Sequence, residues 1–149
     1  MPISDYPFQA SSDIPTPSPI LPIKIINPDN GKVYKTWGLV DTGAFQTAIP
    51  GHIAQAIGHN IDAVKAMDGC GAGGALSIYP HSCSIEIFKM DSKGIVDINT
   101  VVHKISCRRI GVIKDLPFVL LGVKEFLRKF VLIVDYPRQQ FSIKRPFKT

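Results

Sequence analysis

From Ile20 to Ile143 the chain is written in short apolar runs, each closed by Gly, Pro, Asn or Asp. Runs of this length suit strands, and the closing residues suit tight turns. Ile23, Ile25 and Ile26 lead into Asn27-Pro28-Asp29-Asn30-Gly31, and Lys32 to Val40 resumes with Val33, Trp37, Leu39 and Val40 apolar. Two β-prone runs around an Asn-Gly turn predict a hairpin. Ser82 to Met90, with Ile85 and Ile87 on one face, precedes the turn Asp91-Ser92-Lys93-Gly94, and Ile95 to Val102 reads as its partner strand. Further strands are expected at Ile105–Ile113, Leu116–Gly122, Val131–Tyr136 and Phe141–Ile143, the last two flanking the turn Pro137–Gln140. Helical spacing occurs twice: after Pro50, at Ile53, Ala54, Ala56 and Ile57 with Gly58 as terminator, and at Val123, Phe126, Leu127 and Phe130. The expectation is an all-β barrel or sandwich with two short helices.

The first 22 residues differ. They hold six prolines, several serines and no lysine or arginine. Proline fixes φ and lacks a backbone donor, so this stretch is expected to stay out of regular sheets. We divide the chain into a proline-rich arm, residues 1–19, and one domain, residues 20–149. The arm is expected to wrap the domain or remain mobile, and one further expectation is that it crosses a cleft or is cleaved away.

One stretch carries chemistry. Gly38-Leu39-Val40-Asp41-Thr42-Gly43-Ala44 delivers an aspartate from an apolar strand into a tight Thr-Gly turn. Taken alone, Asp41 is as readily a turn-capping residue, because Asp favours such positions. Asp91, Asp115 and Asp135 are not followed by Thr-Gly or Ser-Gly, so no second such loop exists. Downstream, Met67 to Tyr79 contains Gly69, Gly71, Gly73 and Gly74. Gly69, Gly71 and Gly74 satisfy a GxGxxG spacing, but that fingerprint needs a strand before it and a helix after it. Leu76, Ile78, Cys83, Ile85 and Ile87 continue instead in strand-like alternation, so a flexible hairpin tip is expected.

The remaining composition narrows the classes. The chain has 149 residues, enough for one domain, and its 45% hydrophobic content can fill a core. Net charge is +5, divided unevenly. Residues 1–99 carry 6 basic and 9 acidic side chains, and residues 100–149 carry 11 and 3. No aromatic-interleaved basic motif accompanies this excess, which argues for a solvated face and against a nucleic-acid partner. Cys70, Cys83 and Cys107 have no CxxC spacing, and His52, His59, His81 and His103 are scattered. Neither a metal site nor a cofactor is expected, and reduced thiols point to a cytoplasmic setting. No signal-peptide pattern and no apolar run of membrane-spanning length is visible, so no membrane partner is expected.

Together these segments resemble the retropepsin-like aspartic proteases, a single-domain class. Leu39-Val40-Asp41-Thr42-Gly43-Ala44 resembles the family's catalytic loop, Met67 to Tyr79 its glycine-tipped flap, and Val119-Leu120-Leu121-Gly122 with Phe126-Leu127 its apolar-apolar-Gly segment and short C-terminal helix. They occur in the family's order and span roughly residues 20–143. The resemblance implies an acid-protease barrel active as a twofold homodimer, an extended peptide or protein substrate, and Asp41 as one of two catalytic carboxylates. It implies that Thr42 braces the paired loops, that Gly43 permits close approach, that Ala44 leaves room for substrate, and that Gly71, Ala72, Gly73 and Gly74 close over it. Gly122 is expected to let the C-terminal segment pack beneath the loop. One position departs: viral members usually carry an acidic residue after the alanine and cellular ones often a serine, whereas this chain has Phe45. The alternatives are a non-catalytic peptide-binding or dimerisation module of the same fold and, resting only on the basic C-terminal third, an anion- or nucleic-acid-binding β domain.

Overall fold

A computed structural model describes residues 1–148. Ten strands dominate it: β1 (Ile3–Pro7), β2 (Ile20–Ile26), β3 (Val33–Val40), β4 (Ala48–Pro50), β5 (Met67–Gly71), β6 (Gly74–Met90), β7 (Val96–Ile113), β8 (Val119–Leu121), β9 (Val131–Asp135) and β10 (Gln140–Lys144). The main sheet runs β2-β3-β8-β4-β7-β6-β5, and a further pairing of β2 with β6 closes six of those strands into a barrel. Closure removes the exposed edges that an open sheet of apolar strands would present. β5 remains outside the closure, paired only with the first residues of β6.

The two central hairpins follow the sequence reading. β2 and β3 pair antiparallel across the Asn27–Gly31 turn, where Gly31 takes φ +73. Pro22 lies just before the Ile23–Ile26 stretch that pairs with β6, so its missing donor costs that ladder nothing. β6 and β7 pair antiparallel around Asp91–Gly94, whose Asp91 carboxylate accepts the N–H groups of Lys93 and Ile95. The strands expected separately at Ile95–Val102 and Ile105–Ile113 are one 18-residue strand, β7. Register shifts along β6 and β7 absorb the bends that so long a ladder needs to wrap the core. That core is mostly aliphatic: Ile20, Leu21, Ile25, Ile49, Ile85, Ile87 and Leu121 are essentially inaccessible, and the ring of Phe126 is buried with them.

Of the two expected helices, one forms. The first helix is present as α1 (Gly51–Ala56), with Pro50 as its N-cap and Gly58 leaving it at φ +85. The second, over Val123–Phe130, is not an α-helix; the segment is a chain of turns ending in one 3₁₀ turn, Leu127–Lys129. Its first two N–H groups, which a helix would leave free, donate to the loop: Val123 to the Ala44 carbonyl and Lys124 to that of Phe45. Leu127 and Arg128 then reach back five residues, to Gly122 and Val123. Phe126, fully buried, adopts φ −129 and ψ −70, which no helix continues through. Burial of its ring overrides the helical spacing.

The proline-rich segment also enters a sheet. Ile3–Pro7 forms β1, antiparallel to β10, in a three-stranded sheet of order β1-β10-β9. Ile3 and Tyr6 are buried in the main core, and the buried Met90 N–H donates to Tyr6 Oη at 2.8 Å. The prolines stand at its margins: Pro2 precedes β1 and Pro7 ends it, where a missing donor does least harm. Replacing Tyr6 with Phe is expected to orphan the Met90 donor and cost about 1–3 kcal/mol, measured as a shift in urea midpoint.

Two half-buried histidines report on the same packing. Desolvation, then the N-terminal ammonium and Lys129, hold His103 below the usual imidazole value. Desolvation, then His81, lower His59. Both favour the neutral ring in the fold, whereas the unfolded rings take protons near about pH 6.5. The stabilisation is complete above that value and is lost as pH falls through it toward the lower folded values. Urea midpoints are therefore expected to fall between about pH 7 and about pH 5, and to fall less in His103→Phe.

Candidate functional site

β3 and β8 are parallel neighbours, with Gly38 opposite Val119, Leu39 opposite Leu120 and Val40 opposite Leu121. In a parallel pair the residues that follow emerge at the same end, so Asp41 and Gly122 leave the barrel side by side. The Asp41 N–H donates to the Leu121 carbonyl at 3.1 Å, extending the ladder by one bond. The chain then turns on itself. Asp41 Oδ1 accepts the Gly43 N–H at 2.9 Å, and its carbonyl accepts the Ala44 N–H at 3.3 Å. This is the local Asx geometry that makes Asp a turn residue.

The loop after this turn is fixed from beneath. The Ala44 and Phe45 carbonyls receive the Val123 and Lys124 N–H groups at 2.9 and 2.8 Å. Thr47, fully buried, accepts the Gly122 N–H on its hydroxyl at 3.0 Å, and its own N–H donates to Glu125 Oε2 at 2.8 Å. Thr47 and Glu125 carry part of the site and were not singled out in the sequence. A threonine beside the buried Ala48 and Ile49 can itself be buried only if its polar groups are satisfied. Gly122 has a stricter reason to be glycine. A Cβ there would lie 2.5 Å from the Gln46 carbonyl carbon and 2.8 Å from the Ala44 oxygen. Backbone thus meets backbone without a side chain between them, the close packing that the family resemblance implied for this glycine.

A cleft of about 640 Å³ opens over this loop. Asp41, Gly43, Ala44, Phe45, Gln46, Leu120, Ile113 and Leu116 line it on the barrel side. The opposite side is the β5–β6 hairpin, whose lining residues include Gly71, Ala72, Gly73, Leu76 and Ile78. The hairpin turns through Ala72 and Gly73, with Gly71 opposite Gly74. Only Gly74 of these uses glycine's conformational freedom, at φ +111. Leu76 and Ile78, two apart on β6, face the cleft together.

The structure therefore brings Asp41, Gly43, Ala44, Gly71, Ala72 and Gly73 to one cavity, while Thr42, exposed, and Gly74 do not line it. Asp41 is half-buried. Asp68, on β5, is the second carboxylate along the cleft wall. Among the described residues no group of three or more His, Cys, Asp or Glu is arranged to hold a metal ion. No helix among them is long and apolar enough to cross a membrane.

No family model matches the chain, and no curated protein matches it. A solved structure does: that of a retropepsin-like aspartic protease from Rickettsia conorii, at a TM-score of 0.55 and 21% identity, covering 94% of this chain and 98% of that one. At this identity the likeness establishes a shared β-barrel fold.

Gly122→Ala is expected to push the loop off the C-terminal segment, at a cost of about 1–3 kcal/mol, with amide chemical-shift changes through residues 41–47. Gly73→Ala, which meets open space at ordinary φ, is expected to stay within about 0.5 kcal/mol of wild type.

Proposed function

We propose that the protein is an aspartic endopeptidase whose active unit is a homodimer, with Asp41 of each copy forming the catalytic pair. The observation that carries this reading is the position of Asp41. It sits on a braced turn at the floor of a cleft about 640 Å³ in volume, under a glycine-tipped hairpin, in a barrel that shares its fold with a retropepsin-like aspartic protease.

Hydrolysis by this route uses no metal and no covalent nucleophile. Two carboxylates held a few ångströms apart cannot both ionise readily, so they share one proton. The ionised carboxylate takes a proton from a water molecule, and the protonated one polarises the scissile carbonyl. The two titrate as a unit. One chain supplies one such loop, so a twofold axis beside Asp41 completes the pair and makes dimerisation a condition of activity.

The supporting residues have roles consistent with their surroundings. Gly43 leaves Asp41 Oδ1 uncrowded, since a Cβ there would sit 3.2 Å from it. Thr42 is exposed and so accessible to the loop of a second copy, where its hydroxyl braces the pair. Ala44 leaves room over the floor. The hairpin around Gly71, Ala72, Gly73 and Gly74 closes over an extended peptide and excludes water. β5 has a hydrogen bonding edge beyond its pairing with β6, which suits main-chain pairing with such a peptide.

A second reading, a non-catalytic peptide-binding or dimerisation module, is favoured by one observation. The Asp41 carboxylate is engaged by its own turn, a sufficient structural reason for an aspartate there. The two readings separate in a digest of a peptide library. Wild type is expected to cleave, pepstatin to inhibit, and Asp41→Asn to abolish activity while the thermal unfolding midpoint stays close to wild type. Cleavage that survives the substitution removes the assignment.

A further inference from the structure

We infer that Cys83 and Cys107 form a modification site, a dithiol across β6 and β7 that a peroxide converts reversibly to a disulfide. The inference is independent of the endopeptidase reading, because it concerns the barrel wall and not the Asp41 loop.

The chain has three free cysteines, and the barrel sets two of them opposite each other. Cys83 and Cys107 are direct partners in the antiparallel β6–β7 ladder. Directly opposed residues share a face of the sheet, and both side chains pack on the main core. The bonding pattern sets their spacing. The Asn27 N–H donates to the Lys32 carbonyl and the Val40 N–H to that of Pro19, so odd residues of β2 bond to β3 and even ones to β6. Ser84 and Glu86 are the β6 partners of those even residues, which leaves Cys83 to turn its N–H and carbonyl toward β7. Opposed residues of that kind stand with Cα atoms about 5.5 Å apart, inside the disulfide range of about 4.4–6.8 Å. Their Cβ atoms start about 1 Å too far apart, so closure must draw the strands together. A bulge beside the pair allows this. Between the His81–Ile110 and Cys83–Cys107 pairs, β6 has Ser82 alone while β7 has Arg108 and Arg109. The extra residue gives the ladder local freedom, and the remaining strain keeps the bond easy to reduce.

The two sulfurs differ in access. Cys83 is 2% exposed, whereas Cys107 is half-buried and its Sγ accepts the Arg109 N–H at 3.4 Å. Burial pushes the Cys83 thiol up to about 12. Cys83 therefore stays protonated, and Cys107 meets the oxidant first. The Cys107 thiolate attacks a peroxide oxygen: an S–O bond forms, the O–O bond breaks, and the departing hydroxide leaves as water. The Cys83 sulfur then displaces the hydroxyl of the resulting sulfenic acid. The S–S bond forms, the S–O bond breaks, and the Cys83 proton leaves with that hydroxyl as a second water. Two thiols and one hydrogen peroxide become one disulfide and two waters, with both electrons passing to the peroxide. His59 assists the second step. Its Nε2 lies 2.9 Å from the Ser82 carbonyl, which only accepts, so this nitrogen carries the proton. The same N–H stands 3.7 Å from Cys83 Sγ and favours the sulfur as its own proton departs.

The test uses the full-length chain carrying Cys70→Ser, which removes the exposed thiol and leaves the pair. After hydrogen peroxide, both remaining thiols are expected to be lost to a thiol-reactive dye in denaturant. The intact mass is expected to fall by about 2 Da, the two thiol hydrogens. A peptide map should join residues 83 and 107, and dithiothreitol should restore both thiols. Adding Cys83→Ser is expected to strand Cys107 as a sulfenic acid, raising its dimedone labelling from background to near completion. Should that buried substitution unfold the chain, Cys107→Ser takes its place, and Cys83 is then expected to remain a free thiol in the same peroxide. Both thiols surviving peroxide in the Cys70→Ser chain, Cys107 oxidised there while Cys83 stays free, or a disulfide joining two copies overturns the inference.

Discussion

Gly122 lies against the Ala44 and Gln46 backbone with no space for a side chain, and the floor of the cleft depends on that approach. The parallel pairing of β3 and β8 brings the two segments out together. The missing Cβ lets them touch, and three further bonds lock the contact: Gly122 N–H to Thr47 Oγ1, Val123 N–H to the Ala44 carbonyl, and Lys124 N–H to the Phe45 carbonyl. The Asp41 turn is thus held from below by the C-terminal segment and from within by its own Gly43 N–H. Such a carboxylate is positioned before any ligand arrives, which is what chemistry at a fixed point requires.

The segment that follows is shaped by the core as well as by the loop. Val123 and Lys124 give their donors to the loop, and Phe126 is drawn fully into the core. A continuous helix over Val123–Phe130 would leave those two donors free as well, but it would need helical φ and ψ at Phe126, which stands at φ −129 and ψ −70. The chain forms irregular turns and a single 3₁₀ turn instead. Local helical preference, worth tenths of a kcal/mol per residue, gives way to a buried aromatic ring worth roughly 2 kcal/mol.

What was readable from residues alone follows the same division. The hairpins at Asn27–Gly31 and Asp91–Gly94 were legible because their turn residues dictate the geometry. The hairpin over Gly69–Gly74 was legible because alternation continued past the glycines, excluding a helix. Asp41 and Gly122 were legible as a related pair only through resemblance to a known family; nothing local reveals that β3 and β8 are parallel neighbours. Thr47 and Glu125 were missed because their importance is a tertiary hydrogen bond across 78 residues of sequence. β1 was missed because six prolines in 22 residues obscured Ile3 and Tyr6, whose burial is set by β10 and the barrel rather than by their neighbours.

The central claim is that one chain holds half of an active site. Subunit mixing tests it most directly. Wild type and Asp41→Asn are combined at fixed total concentration, allowed to exchange, and assayed on a cleaved peptide. If each site needs an Asp41 from both copies, activity falls with the square of the wild-type fraction. Activity that falls only in direct proportion to that fraction means each chain works alone, and contradicts the account.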